Sequence, residues 1–462
     1  MSDMQFACKI PAMAIGKRKR KRQETLWIPT GKIPTPPAHP FYQSLNSVLA
    51  KHGFDDFVEE ICAKFYAPKM GRPGLAPGIY FRMLLIGYFE GLDSERGIAW
   101  RTADSLALRD FLGLALTDTP PDHSTVSRTR RLIDLETHQS VFTWVLQRIA
   151  DKGLLKGKTI GIDATTLEAN AALKSIVRRD TEDSYQEFLI KLAKESGIET
   201  PTREDLARLD KKRAKKGSND DWTHPHDPDS RITKMKDGST HLAHKTENAV
   251  DLETGVVVGV TVQPADSGDT TTMIETLITA AEQVEAVLPQ SEGMQEVVTD
   301  KGYHGTERIV DLERLGIRTY ISERKQRRRR WRGDGEAQAA FYRNRRRVRG
   351  ARGKALLRLR GERLERPFAH LYETGGMRRT HLRGRENILK RILIHVSALN
   401  LGFLMRAFFN VGTPRSLQGR VLAFFSMLHH KINAIFAGIR TIKLILDVFQ
   451  HRLMEIRWLA VY

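Results

Sequence analysis

Lys158-Thr159-Ile160-Gly161-Ile162-Asp163-Ala164-Thr165-Thr166 is a β-rich run whose apolar core is followed at once by a carboxylate and then by polar residues. Glu296-Val297-Val298-Thr299-Asp300 repeats the design, with Asp300 standing 137 positions after Asp163. In an α/β sheet the C-terminal ends of the strands form the rim where ligands bind. An acid behind two or three buried residues is therefore held rigidly within reach of solvent and metal. Two such ends side by side would bring their carboxylates together. Divalent cations relieve that repulsion best, and hard oxygen ligands suit Mg²⁺. A third carboxylate from a helix would complete a two-metal site for in-line displacement at phosphorus. An Asp at a strand end is at least as often a helix cap or a turn residue. Here Asp300-Lys301-Gly302-Tyr303-His304-Gly305 adds a cation and a glycine hinge at one strand–helix junction.

Outward from these runs, strands alternate with helices from residue 155, which predicts a mixed α/β domain. Lys245–Asp251 and Gly255–Pro264 flank a Glu253-Thr254-Gly255 turn and read as a hairpin, the second strand rich in valine. Thr271–Val287 fits a helix with Met273, Ile274, Leu277, Ile278 and Ala281 on one face. Thr306–Leu315 fits another helix and Arg318–Ser322 a short strand. Residues 168–240 are charged, carry Pro201, Pro225 and Pro228, and read as an inserted, partly disordered excursion.

Residues 41–150 carry apolar spacing typical of helices, with Ile79–Phe89 the clearest. At Pro121-Asp122-His123-Ser124 a turn leads into a helix capped by Asp122 or Ser124. Arg128, Arg130 and Arg131 lie on that helix's early turns, as on a helix set against DNA. Residues 324–352 are far more basic. Arg327, Arg328, Arg329, Arg330 and Trp331, with Tyr342 beyond, suit phosphate contact and base stacking. Residues 1–40 read as a basic, proline-rich arm, and 406–462 as an amphipathic helical tail.

Composition narrows the function classes. Lys plus Arg number 75 against 55 Asp plus Glu, a net charge of +20 that favours a polyanionic partner. The two cysteines, Cys8 and Cys62, cannot form a disulfide scaffold or a cysteine zinc site, so a reducing, cytoplasmic setting is expected. The basic residues 17–22 are not followed by a long apolar run, and cations interrupt the apolar tail, so no membrane span is expected. His224 and His226, among Asp221, Asp227 and Asp229, can be drawn as a metal site but lack a cysteine partner.

Ile162-Asp163-Ala164-Thr165, Thr299-Asp300-Lys301-Gly302-Tyr303 and Arg363-Leu364-Glu365-Arg366-Pro367-Phe368 resemble the three catalytic blocks of bacterial insertion-sequence DDE transposases, the insertion sequence four/five superfamily. The similarity continues through residues 251–255, 265–269, 376–384 and 398–401, and residues 45–135 resemble the group's helical N-terminal domain. This resemblance implies an RNase H-like catalytic domain, spanning 155–405 after a DNA-binding helical domain at 41–150. It implies Asp163, Asp300 and Glu365 as catalytic metal ligands for two Mg²⁺ or Mn²⁺ ions. It also implies double-stranded DNA, the element's terminal inverted repeats and a target, as partner of a homodimer or larger assembly near the nucleoid. The family often has a basic residue seven positions after the glutamate, where this chain has Tyr372; Arg378, Arg379 or Arg383 would then supply the phosphate contact. Glu362, just after Gly361, falls near an expected helix start. The competing readings are a transposase-derived nucleic-acid-binding protein and a nuclease without strand transfer.

Overall fold

The computed structural model describes residues 39–67, 74–213, 217–235, 238–324, 331 and 333–417, all within one compact unit, Ala38–Tyr462. The arm up to residue 38, Arg327–Arg330 and the tail from residue 418 lie outside the described residues.

Seven helices come first: α1 (Pro40–Lys51), α2 (Phe54–Cys62), α3 (Pro77–Glu90), α4 (Glu95–Asp104), α5 (Leu106–Phe111), α6 (His123–Leu132) and α7 (Leu135–Ala150). Side-chain caps start several of them. Ser94 accepts from the Gly97 amide (3.1 Å), Asp122 from Thr125 (2.8 Å) and Asp134 from Thr137 (2.8 Å). Each occupies an amide that the first helical turn leaves unpaired.

The α/β part follows as β1 (Thr159–Glu168), β2 (Val177–Arg178), α8 (Tyr185–Glu195), α9 (Arg203–Lys212), β3 (Trp222–Thr223), β4 (Arg231–Lys234), β5 (Thr240–Asp251), β6 (Val257–Pro264), α10 (Asp269–Val287), β7 (Glu296–Thr299), α11 (Thr306–Arg314), β8 (Arg318–Ile321), α12 (Gly335–Arg349), α13 (Ala351–Phe368) and α14 (Arg385–Phe409). The main sheet runs β8-β7-β1-β5, with β6 and β4 sharing the outer edge of β5. β5 is antiparallel to β1 and to β6, whereas β7 is parallel to β1 and β8 parallel to β7. An antiparallel three-strand meander continued by two parallel strands, with helices packed on it, is the RNase H-like arrangement.

Both sheet edges are closed by a buried asparagine. Asn400 on α14 accepts from the Val257 amide (3.1 Å) and donates to its carbonyl (2.8 Å), and Asn344 on α12 does the same for Ile321 (3.1 and 2.9 Å). Each side-chain amide stands in for the missing neighbouring strand, so buried edge groups stay paired.

α14 joins the two parts of the unit. It packs on α3, α7 and β6, and residues around its whole circumference are buried. A helix apolar all round belongs in a core. The segment Arg385–Leu417 is long and apolar enough to cross a membrane by length and composition, but 72% of that window is buried inside the protein. One core therefore runs from Phe41 through the sheet to Met405, and the helical region shares it rather than standing apart.

The 168–240 segment differs most from expectation. It folds round a small second core, Ala169, Ile176 and Trp222 with Leu242 from β5, and Tyr185, Phe188 and Ile232 packed against it. Short, widely spaced apolar positions build it, and they produce no sustained periodicity. α10 also departs in detail: its buried face is Thr272, Met273, Thr276, Leu277 and Ala280, while Ile278 is 53% exposed.

Candidate active site

The pairing of β1 with β7 matches Thr159 to Glu296, Ile160 to Val297 and Gly161 to Val298. Continued two positions, the same offset sets Asp163 opposite Asp300. Both acids are half-buried. Asp300 directly follows the end of β7, whereas Asp163 lies mid-strand in β1, which runs on to Glu168 beside β5, and not at a strand end as the sequence suggested. Asp163 Oδ1 accepts from the Ala164 amide (3.0 Å), and Asp300 Oδ1 accepts from the Gly302 amide (2.7 Å), capping a 3-10 turn at Lys301–Tyr303. Each side chain is thus fixed by its own backbone.

α13 crosses these two strands. A Cβ on Gly161 would come within 2.7 Å of Leu364 Cδ1, so the close approach of helix to strand needs glycine there. The helix buries Gly353, Leu356, Leu364 and Pro367 on one stripe, and Arg360, 15% exposed, lies in line with it. Arg360 Nη2 reaches Asp163 Oδ2 at 3.1 Å. Glu365 follows Leu364 and is exposed, as is Glu362. α13 begins at Ala351, so Glu362 is a mid-helix residue and not part of a helix start as the sequence suggested. The helix continues into a π-helical stretch, Ala369–Thr374, and ends at Gly375.

The carboxylates of Asp163 and Asp300 are hard oxygen ligands of the kind that suit a divalent cation of the Mg²⁺ class. Among the described residues no three His, Cys, Asp or Glu side chains are gathered as one ligand set, so Asp163, Asp300 and Glu365 do not form an assembled metal group here. In the 224–229 segment, Asp227 is already held by buried His244 Nε2 (3.1 Å) and the Gly384 amide (3.0 Å), which argues against the histidine metal site.

Tyr372 is 3% exposed, and burial pushes its hydroxyl up to about 12. A group so enclosed is a packing residue, stacked on Phe368 at 5.6 Å between centroids. The three cations the sequence proposed in its stead lie at the far end of β1, five residues beyond Asp163. Residues 378–380 bond to the end of β1, through Glu168 N to Arg378 O (3.2 Å) and Thr380 N to Glu168 O (2.9 Å). Arg378, Arg379 and Arg383 are exposed there. Arg379 and Arg383 help line a cavity of about 300 Å³ with Asn170, Ser175, His224 and His226.

The other basic residues divide. Arg128 and Arg131 on α6 are exposed. Arg130 is not a surface residue: 6% exposed, its guanidinium donates to Glu95 Oε1 (2.7 Å), Asn387 Oδ1 (2.5 Å) and Ser127 Oγ (3.2 Å). Several arginines of the basic stretch are ion-paired within the protein, Arg345 and Arg347 half-buried, Arg343 and Arg352 still exposed. Arg343 and Arg347 share Glu313, Arg345 holds Glu323, and Arg352 holds Glu296, each at 2.6 Å. Arg346 and Arg349 remain exposed. Trp331 is half-buried and packs on Phe341 at 5.3 Å, so part of its ring is already in use.

Residues 34–132 match the family model described as Transposase domain (DUF772), and residues 188–401 match the Transposase DDE domain. Asp300 and Glu365 lie within the second match, and Asp163 ahead of it. No curated protein matches the chain. Among solved structures, a Mos1 transposase paired-end complex with left transposon end is 10% identical, covering 67% of this chain and 82% of that chain with a TM-score of 0.18, a likeness too weak to carry weight.

Proposed function

This chain belongs to the insertion-sequence DDE transposases, enzymes of DNA phosphoryl transfer that act with divalent metal ions, and from that membership we propose that it binds its element's terminal inverted repeats and performs Mg²⁺-dependent strand cleavage and strand transfer. The observation that supports the reading is the β1–β7 register, whose offset carries Asp163 to Asp300 on adjacent parallel strands.

In this reading Asp163 and Asp300 hold the metal through their carboxylate oxygens, and Glu365 joins them when DNA is bound. A divalent metal so held polarises the phosphoryl oxygens and activates the attacking one. Arg378, Arg379 and Arg383, farther along at the end of β1, hold the phosphates of DNA that runs past the carboxylates. Arg128 and Arg131, with Arg327–Arg330 of the basic stretch, hold flanking duplex through sequence-independent contacts. Assembly as a homodimer or larger complex would present two such sites to the paired ends.

Incubating the protein with DNA spanning the genomic ends of its own element tests this directly. Mg²⁺-dependent nicks at the element boundary, followed by joining to a second DNA, are expected. Nicks without joining would favour a hydrolytic nuclease, and no nicks with retained binding a non-catalytic DNA-binding protein.

A further inference from the structure

Three segments far apart in the chain close round the cavity of about 300 Å³: the stretch after β1 that holds Asn170 and Ser175, the turn at His224 and His226, and the loop of Arg379 and Arg383. Buried Asp227 ties two of these walls together. Its Oδ1 accepts from the Gly384 amide (3.0 Å), its Oδ2 lies 3.1 Å from His244 Nε2, and its own amide donates to the His224 carbonyl (3.2 Å). Arg383 Nε donates to the Asn170 carbonyl (3.3 Å) and Asn170 Nδ2 to the His381 carbonyl (3.0 Å), which joins the third wall. A site held in this way loses little freedom when it takes a ligand.

The lining carries arginine and histidine but no acid. Arg379, Arg383 and His226 are exposed, whereas His224 is 3% exposed. His224 Nδ1 accepts from the His226 amide (3.3 Å), so the hydrogen of the neutral ring sits on Nε2. Burial, and then the charge of Arg383, hold His224 below its ordinary pKa, which keeps that neutral form at pH 7. Nε2 has no hydrogen-bond partner among the described residues. Of the acids nearby, Glu168 lies 3.6 Å from Arg379 and 3.9 Å from His241, both Asp227 oxygens are occupied, and Asp229 accepts from the Arg385 amide (3.0 Å). Arg378 pairs instead with Glu373 and does not line the cavity. Guanidinium forks beside a buried imidazole N–H are donors suited to phosphate oxygens.

The strand sets this cavity apart from the carboxylates. From Asp163 to Glu168 β1 advances five residues, roughly 17 Å at about 3.3 Å each. Duplex DNA covers that length in about five base-pair steps of roughly 3.4 Å.

We propose that this cavity seats one backbone phosphate of the bound DNA, distinct from the phosphate at the carboxylates, with Arg379 and Arg383 supplying the charge and His224 Nε2 the buried donor. The inference rests on the DDE reading above. It gives His224 an anion as partner, where the sequence alone allowed a metal.

Binding of the full-length protein in EDTA to duplexes of the element's terminal repeat, each with one phosphate replaced by a neutral methylphosphonate, tests it apart from catalysis. In the parent, one replacement within about five base pairs of the cleaved bond should cost about ten-fold in affinity. Arg383→Gln and His224→Phe should bind the unmodified duplex about ten-fold more weakly, and that same replacement should then cost them little more, because one contact is lost only once. Arg383 is exposed, so its variant keeps the fold, and urea midpoints check both proteins. A replacement penalty that persists in full in Arg383→Gln would overturn the inference and leave the DDE reading standing. A parent that neither prefers the terminal repeat to unrelated DNA nor cleaves it with Mg²⁺ would remove the DDE reading and this inference together.

Discussion

Arg360 Nη2 lies 3.1 Å from Asp163 Oδ2, a bond between the middle of α13 and the central strand β1. The side chains are 15% and 29% exposed, so water screens the pair only in part. The arginine thus docks the helix and neutralises a carboxylate that metal is expected to use. Arg360→Gln should lower stability in EDTA by about 1–2 kcal/mol, the net worth of a charge-assisted hydrogen bond at a partly wet site. It should also leave Asp163 more attractive to cations, so Mn²⁺ should raise the urea midpoint more than in the parent. Equal Mn²⁺ stabilisation of the two proteins would show that arginine and metal do not share this carboxylate.

Neighbouring arginines on α6 should behave oppositely. Arg128→Ala and Arg131→Ala are expected to leave stability almost unchanged and to flatten the slope of log affinity against log salt by roughly 0.9 each. Arg130→Ala should leave that slope alone but cost about 3 kcal/mol in urea unfolding, since it strands Glu95 within the fold. A salt slope moved by Arg130→Ala, with stability intact, would contradict the inward orientation.

Acid should weaken the helical region through His138. The ring is fully buried, bonded to the Tyr80 hydroxyl (3.0 Å) and the Asp134 carbonyl (2.7 Å), and burial pulls its pKa from 6.5 down to about 4. The unfolded chain then binds a proton that the folded chain refuses between those values. Stability from this group is complete above pH 6.5 and drains away as pH falls toward 4. The loss at pH 5 is about 2 kcal/mol. Urea unfolding at pH 7 and pH 5 should show the drop, and His138→Gln should shrink it; an unchanged drop in that variant would assign it to other groups.

Trp222 anchors the small core of the 168–240 segment, 2% exposed and packed on Tyr185 at 5.0 Å and Phe188 at 5.4 Å. Trp222→Ala should cost that unit about 3–5 kcal/mol. Because its core is separate from the main one, the expected result is rapid tryptic cleavage between residues 178 and 234 with the main unfolding transition preserved. Parental resistance to trypsin there would show that Trp222 is not what orders the segment.

The contrast between these residues marks what a sequence can reveal. The valine-rich β6, Asp300 at the end of β7 and the Asp122 cap are local patterns that the structure keeps near their expected bounds, whereas β1 runs five residues past Asp163 because its pairing with β5 continues to Glu168. The edge-closing asparagines, the Asp227–Gly384 bond and the Arg360–Asp163 bond join distant positions on different elements, so no window of sequence contains them. The arginine-rich stretch illustrates the converse. Its density was legible, but the partners Glu296, Glu313 and Glu323, which ion-pair Arg343, Arg345, Arg347 and Arg352, lie 22 to 56 positions away. Trp222 was missed because a core of four widely spaced residues leaves no period to detect.

Single-turnover cleavage of DNA carrying the element's own terminal repeat, with Mg²⁺, tests the central claim most directly when the parent is set beside Asp163→Asn, Asp300→Asn and Glu365→Gln. Neutral amides are poor ligands for a hard cation, so each variant should lose cleavage by at least a thousand-fold, on the order of 4 kcal/mol of barrier. DNA binding should stay within a few-fold of the parent. Glu362→Gln, an exposed mid-helix change, should cut normally and fold normally. Cleavage by Asp163→Asn or Asp300→Asn within a few-fold of the parent rate would contradict the account, because the neighbouring strands β1 and β7 would then not be where the chemistry occurs.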